Sequence, residues 1–316
     1  MLTLPMAGWI KKKYPACKIY FLGSAYTKEI IALSEYVDEF IDYTELKKRS
    51  QTDQIGFLKS LKVDAIVHVF PVKEIAQLAK QAAISLRVGT TSRIYHWFTC
   101  NKRVALSRKN SDLHEAQLNI QLLGFLNMET NVSLKDISEM YGFTKIPNAS
   151  ENMLRLIDKT KFNLILHPKS RGNGMEWGLK NFDALIKILP KEKFKIFLSG
   201  TEEEGKLLQS LIQGNPSVTD LTGKFALKEF IAFINCCDGL VASGTGPLHL
   251  ASALGKRTVG LFPSRRPIHP GRWKPIGINA SYLVFDANCE KCRKGENCDC
   301  ISRIDPKQVL ALLEKK

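Results

Sequence analysis

The 316-residue sequence contains no apolar run that approaches the length of a membrane span. It also has no low-complexity tract and no short internal repeat. A secretion signal places basic residues before its apolar stretch, whereas the opening MLTLPMAGWIKKKYP has the opposite order. These absences argue against a membrane-spanning, repetitive or secreted protein, and we expect a cytoplasmic one.

Negative charge is scarce, with 31 acidic against 46 basic residues and a net charge of +15. Such a chain suits three classes of partner: nucleic acid, an anionic membrane surface or an acidic substrate. The lysines are spread along the chain, without a basic tail or the aromatic and basic strands of an RNA-binding fold. We therefore expect no nucleic-acid partner, and solvated surface lysines would also account for much of the charge.

Four of the eight cysteines, Cys289, Cys292, Cys298 and Cys300, lie together in CEKCRKGENCDC. Thiolates at such spacing can surround one structural Zn²⁺, although the Cys-x-Cys end is tighter than in a usual zinc ribbon. Free thiols and disulfides are the alternatives, and a reducing cytoplasm disfavours disulfides. The other cysteines lie in or beside apolar segments and are predicted to be core residues: Cys17, Cys100, Cys236 and Cys237.

Apolar runs such as NLILH, FKIFLS and RTVGLF alternate with helical patterns such as KEIAQLAKQA and LKNFDALIKIL. This alternation predicts an α/β protein with parallel sheets. The least periodic stretch, residues 142–152, is rich in Pro, Asn, Ser and Gly and is the best candidate linker. It predicts two similar domains, 1–146 and 147–316, each with its ligand sites at the carboxyl ends of the strands.

The stretch ASGTGPLHLASALG follows one of these strands and opens a predicted helix. Gly244 and Gly246 permit a sharp turn and a close approach of the backbone to a ligand. Pro247 suits the start of a helix, and Thr245 or Ser243 can cap it. The first N–H groups of the helix and its dipole would then attract a phosphate, although a plain strand-to-helix turn has the same composition.

Four segments, in this order along the chain, resemble the bacterial heptosyltransferases of glycosyltransferase family 9: RKNSDLHEAQLNIQLL, HPKSRGNGMEWGLKNFDALIKIL, LSGTEEEG and LTGKFALKEFIAFINCCDGLVASGTGPLHLASALGKRTVGLFPS. The resemblance covers nearly the whole chain. It implies a GT-B fold, in which two Rossmann-like domains with parallel sheets face an interdomain cleft. The first domain would bind the acceptor and the second the ADP-sugar donor, with the last helix packing back on the first domain.

The resemblance also implies the reaction. Family members transfer a heptose from ADP-heptose to the inner core of lipopolysaccharide, with inversion and without a metal or other cofactor. The residues that would bind the donor pyrophosphate are Gly244, Thr245, Gly246 and Pro247. His249 would either face the donor or fill a niche in the core.

Two further loops of the second domain would contact the donor. Lys169, Ser170 and Arg171 can supply cations and a hydroxyl to its phosphates, although a solvated basic turn has the same sequence. Of the three acidic residues in SGTEEEG, Glu203 is favoured over its neighbours for the ribose hydroxyls. An acidic residue also simply suits the start of a helix.

This chain departs from the family pattern at two donor positions. Many members have an acidic residue where Gly244 stands, and the better-known heptosyltransferases have a lysine where Met175 stands. These departures leave open a second possibility, transfer of another sugar or from another nucleotide.

Acceptors of this family are acidic, phosphorylated glycolipids, so positive charge on the first domain suits them. The residues expected to contact the lipopolysaccharide core are Arg93, Lys102 and Arg103. The same charge would attract the anionic leaflet of the inner membrane, which predicts a peripheral location there. His114 and Glu115 fit the start of a helix, capped by Ser111 or Asp112, at least as well as an acceptor contact.

In the family, a Gly-Asp turn ends the first strand and precedes a segment similar to LTLPMAGWIKKKYP, and its Asp is the expected general base. Here that Asp and strand would lie upstream of Met1, and the chain would open on a helix with Thr3 as cap and Pro5 in its first turn. Either the sequence starts too late or the protein has lost its base. As given, the catalytic residue is unknown, and we expect a gap or exposed edge in the first sheet and weak or absent transfer. A non-catalytic nucleotide- or glycolipid-binding protein is the alternative.

Overall fold

The computed structural model describes residues 1–108, 111–170, 172 and 174–315. The chain forms two compact units, Leu2–Thr144 and Lys145–Lys316 together with Met1. The sequence analysis placed the boundary after residue 146. Both units are α/β, and every pair of named strands among the described residues is parallel.

The first unit opens on a helix that begins at Pro5, with Leu4 rather than the predicted Thr3 at its cap. Its helices are α1 (Pro5–Lys13), α2 (Lys28–Ile31), α3 (Tyr43–Leu46), α4 (Gln51–Ser60), α5 (Lys73–Gln81), α6 (His96–Thr99), α7 (Glu115–Gln121) and α8 (Leu134–Ser138), with 3₁₀ turns at Ala25–Thr27 and Gly124–Leu126. Its strands are β1 (Tyr20–Gly23), β2 (Glu39–Asp42), β3 (Ala65–Val67), β4 (Leu86–Thr90) and β5 (Lys102–Val104).

These five strands form two sheets, β1-β2 and β3-β4-β5. One apolar cluster joins the sheets because side chains of both pack against α4 and α5. The cluster includes Leu22, Ile41, Leu58, Ile66 and Leu78. The residues of β1 are all half-buried rather than buried, which is unusual for parallel strands covered on both faces.

The start of α7 differs from the prediction, because His114 rather than Ser111 or Asp112 caps it. The Nδ1 atom of His114 accepts from the N–H of Ala116 (3.2 Å), and Gln117 accepts from the N–H of His114 (3.1 Å). The next residue, Glu115, is ion-paired with Arg108 at 2.7 Å. Both predicted helix-start residues therefore have structural contacts.

The second unit contains one six-stranded sheet in the order β11-β10-β9-β6-β7-β8. Its strands are β6 (Phe162–His167), β7 (Phe194–Leu198), β8 (Thr219–Asp220), β9 (Gly239–Ser243), β10 (Arg257–Leu261) and β11 (Ala280–Leu283). Its helices are α9 (Glu151–Leu156), α10 (Leu179–Ile188), α11 (Glu202–Gln213), α12 (Leu227–Cys236), α13 (Gly246–Ala253), α14 (Pro270–Trp273), α15 (Glu290–Lys294) and α16 (Pro306–Glu314), with a 3₁₀ turn at Cys300–Arg303.

One large part of the core of this unit lies between the sheet and two helices, α10 and α16. Phe182 and Leu185 of α10 are three residues apart and therefore share one face, which is fully buried. Val309 and Leu313 of α16 belong to the same core, so the last helix packs against the sheet of its own unit. The middle strand β9 is buried at every position, as its continuous apolar sequence requires.

Two further sequence-based expectations can be compared with the structure. Cys17, predicted to be a core residue, is exposed, whereas Cys100 and Cys237 are buried. Within the described part of the chain, none of the helices combines the length and the apolar character that a membrane span requires.

Candidate functional site

The predicted phosphate site is a strand, a two-residue loop and a helix. The strand β9 ends at Ser243, Gly244 and Thr245 form the loop, and α13 begins at Gly246 with Pro247 as its second residue. Thr245 occupies the cap position but makes no side-chain cap hydrogen bond, contrary to the predicted capping role. The first N–H groups of α13 are therefore left without a capping side chain, and they carry the positive end of the helix dipole.

Two hydroxyl groups beside this helix start are also unsatisfied. Among the described residues, Ser243 Oγ and Thr245 Oγ1 are buried and have no hydrogen-bond partner. A buried polar group without a partner costs about 1–3 kcal/mol, so such groups are uncommon unless a ligand or water satisfies them. Together with the helix N–H groups, the two hydroxyls form a set of donors suited to an anion.

The space available for a side chain differs between the two glycines, Gly244 and Gly246. A Cβ atom on Gly244 would lie 2.9 Å from Cε1 of Phe262, a ring that is only 1% exposed. A Cβ atom on Gly246 would meet nothing within 4 Å. Packing against Phe262 therefore accounts for glycine at position 244, while Gly246 leaves open space at the start of α13.

A cavity of about 330 Å³ adjoins the loop. Its lining is mostly apolar and consists of Gly174, Met175, Gly244, Phe262, Pro263, Pro267, Ile268, Arg272 and Trp273. Both positions at which the sequence departs from the family pattern, Gly244 and Met175, thus face one cavity. The indole of Trp273 donates to the carbonyl of Pro267 (2.8 Å), and the guanidinium of Arg272 lies 5.0 Å from the centre of that indole.

The loop after β6 holds the next candidate residues. The ammonium of Lys169 is paired with Glu176 at 2.5 Å, and the same carboxylate accepts from the N–H of Ser170 at 3.0 Å. Arg171 lies outside the described residues. A donor phosphate would therefore compete with Glu176 for Lys169. Sequence reasoning missed Glu176, although the sequence places this carboxylate in the same loop as Lys169 and Ser170, immediately before Trp177.

At the start of α11, the structure separates the three acidic candidates. Glu204 completes a capping box with Thr201: its carboxylate accepts from the N–H of Thr201 (2.8 Å), and its own N–H donates to the Thr201 hydroxyl (3.2 Å). Glu202 and Glu203 are both exposed, and Glu202 lies beside Gly223. On α13, His249 is 8% exposed and lies one turn beyond the phosphate loop.

The profile of glycosyltransferase family 9 (heptosyltransferase) matches residues 67–300. The chain belongs to this family. It is 23% identical over 295 residues to lipopolysaccharide heptosyltransferase 3 of Escherichia coli, covering 88% of this chain and 83% of that protein.

Two solved structures share the fold. A family 9 glycosyltransferase from Veillonella parvula has a TM-score of 0.77 at 21% identity, covering 99% of this chain and 94% of that one. The Escherichia coli heptosyltransferase WaaC with ADP has a TM-score of 0.73 at 15% identity and covers the same two shares. The protein is thus a heptosyltransferase-like glycosyltransferase with the GT-B fold.

The acceptor candidates of this glycosyltransferase all lie in its first unit. Arg93, Lys102 and Arg103 are exposed, and the guanidinium of Arg103 lies 4.6 Å from the centre of the Trp97 ring. Three apolar side chains in the same segment are also exposed: Ile94 (80%), Trp97 (54%) and Phe98 (71%). The segment therefore combines cations with large apolar groups on the surface.

Sequence reasoning also missed two buried histidines in this unit. His68 follows β3 and His96 lies in α6, with ring centres 5.5 Å apart. Among the described residues, the Nε2 atoms of both rings are buried without a hydrogen-bond partner. Burial, with a smaller contribution from His96, lowers the pKa of His68 to about 4. No sequence pattern indicated the pair, because the two residues lie on separate elements.

The four clustered cysteines are the only group of three or more metal-ligating side chains that the described residues bring together. Their sulfur atoms all lie within 4.8 Å of one another. They could hold a metal, and none of the predicted donor-binding residues is among them.

Proposed function

We propose that this glycosyltransferase transfers a heptose from ADP-heptose to the inner core of lipopolysaccharide, with inversion at the anomeric carbon and without a metal. The acceptor hydroxyl attacks the anomeric carbon and gives up its proton to a base or to water, the bond to the diphosphate breaks, and ADP leaves with the bonding electrons. Negative charge grows on the diphosphate as this bond breaks, so catalysis needs donors already oriented towards it.

The observation that carries this proposal is the set of unsatisfied donors at the start of α13. The Ser243 and Thr245 hydroxyls and the uncapped N–H groups point to a diphosphate as their partner. Support also comes from ADP in the structure of WaaC and from the likeness to heptosyltransferase 3. In this proposal His249 lies next to the diphosphate, and Glu203 contacts the ribose.

We assign binding of the acidic acceptor to Arg93, Lys102 and Arg103. The exposed Trp97 and Phe98 beside these cations suit the headgroup region of an anionic membrane. The protein would then work as a peripheral enzyme on the cytoplasmic face of the inner membrane, where its glycolipid acceptor is available.

Replacing Thr245 with valine tests the donor site, because valine keeps the shape and removes the hydroxyl. A hydrogen bond to a charged group contributes about 1.5–3 kcal/mol, so we expect ADP to bind roughly 10- to 100-fold more weakly by calorimetry. Thr52→Val, at an exposed position of α4, is the matched control and should leave ADP affinity unchanged. Equal ADP affinity in wild-type and Thr245→Val protein would contradict the proposed site.

A second candidate function is transfer of a different sugar. Met175 and Gly244 replace a cation and an acid of the family pattern, and both line the apolar cavity beside the phosphate loop. A less polar sugar would suit this lining. A panel of ADP-, UDP- and GDP-sugars, with products identified by mass spectrometry, separates the two candidates. ADP binding without turnover of any donor would instead indicate a nucleotide-binding protein.

A further inference from the structure

The segment from β11 to α16 brings four cysteines together through one reversal of the chain. Cys289 is the cap of α15 and Cys292 lies in its first turn. Gly295 then takes a left-handed conformation (φ 74°), which favours glycine, and turns the chain back. The returning chain places Cys298 and Cys300 against the first pair.

The sulfur positions suit a single tetrahedral metal ion. The Sγ atoms of Cys289 and Cys298 are 3.4 Å apart, those of Cys292 and Cys300 are 3.2 Å apart, and no pair among the four exceeds 4.8 Å. With Zn–S bonds of about 2.3 Å, a regular tetrahedron has sulfur atoms about 3.8 Å apart. The four sulfurs lie too close together to surround a polynuclear iron–sulfur cluster.

Burial in this segment is confined to the cysteines. In residues 284–300, all of which are described, the buried side chains are Cys289, Cys292 and Cys300, and they form their own small cluster with Cys298. A segment whose buried side chains are all thiols gains little from the hydrophobic effect. The N–H of Cys300 also donates to Cys298 Sγ (3.4 Å), which fixes the position of Cys300 against that sulfur.

We propose that Cys289, Cys292, Cys298 and Cys300 bind one structural Zn²⁺. Four thiolates leave no open coordination position, so this site has no part in the chemistry of transfer. Its role is to hold the 3₁₀ turn Cys300–Arg303, which begins at a ligand.

That turn and the residue after it accept hydrogen bonds from residues at the start of α10. The carbonyl of Ile304 accepts from the buried indole of Trp177 (3.0 Å), and the carbonyl of Ser302 accepts from Asn181 (2.6 Å). Trp177 directly follows Glu176, which binds the loop of Lys169 and Ser170. Bound zinc would therefore hold the turn Cys300–Arg303 in place, and through Trp177 and Glu176 it would also hold the loop of Lys169 and Ser170.

The first test is the metal content of the full chain, purified under reducing conditions without chelators. We expect about one zinc per chain by inductively coupled plasma mass spectrometry, and almost none in the double variant Cys292→Ser/Cys300→Ser. Cys17→Ser, which removes an exposed cysteine elsewhere, is the matched control and should retain one zinc.

A second test uses only wild-type protein, so it does not depend on the folding of a variant. Treatment with a zinc chelator should raise amide hydrogen exchange in residues 284–304 and 177–181, and added Zn²⁺ should reverse the change. Exchange in α11 should remain as before. Four results would each overturn the proposal. They are protein purified without zinc, stoichiometric iron, disulfides between these cysteines, and amide exchange that the chelator does not change.

Discussion

Replacing Gly244 with alanine should destabilise the second unit by a predictable amount. The new Cβ would lie 2.9 Å from Cε1 of Phe262, whose buried ring cannot turn out into solvent. Overpacking of this kind costs about 1–3 kcal/mol, and the loss of glycine entropy in the unfolded chain returns about 0.4–1 kcal/mol. We therefore expect the free energy of unfolding to fall by about 1–2 kcal/mol.

Hydrogen exchange of β9 and β10 peptides in increasing urea measures this value for the second unit by itself. Gly246→Ala is the matched control, because its Cβ meets nothing within 4 Å and should cost little stability. Phe262→Leu should remove most of the Gly244→Ala penalty, giving a coupling of about 1 kcal/mol in a double-mutant cycle. Equal effects at the two glycines, or strict additivity with Phe262→Leu, would refute the packing explanation.

Two further predictions concern the first unit. His68 has a pKa of about 4 when folded, against 6.5 in a free side chain. The unfolded chain therefore takes up the proton first, and stability present above pH 6.5 is lost as the pH falls towards 4, by roughly 3 kcal/mol in total. His68→Leu should flatten urea-unfolding stability across this window, and an unchanged pH dependence would assign the loss to other groups. At the surface, Trp97→Ala should weaken binding to anionic vesicles about tenfold in a sedimentation assay, because it removes a large exposed apolar side chain beside Arg103. Tyr26→Ala, at an aromatic residue that is even more exposed, is the control, and equal losses in both variants would contradict a specific membrane contact.

Local sequence patterns were reliable where a single element carries the information. The run DGLVAS followed by Gly-Thr-Gly-Pro predicted both the strand β9 and the start of α13. The cysteine spacing predicted a cluster, and the sulfur atoms do converge. Element bounds were less reliable. The apolar run YLVF, residues 282–285, predicts a strand by its composition, whereas β11 is Ala280–Leu283. Pairing with β10 determines the bounds of this strand, and the sequence of a single segment does not specify how it pairs.

The sequence by itself therefore determined the α/β class, the order of the elements, the glycine loop between β9 and α13, and the cysteine segment. Each of these depends on residue types at short spacing, which local backbone physics translates directly into structure. Tertiary structure alone decided that Phe262 excludes a side chain at Gly244, and that Glu176 neutralises Lys169. It also left the Thr245 hydroxyl without a partner. No helix or strand period relates the residues of such contacts, and only the packing of the folded chain sets the distances between them.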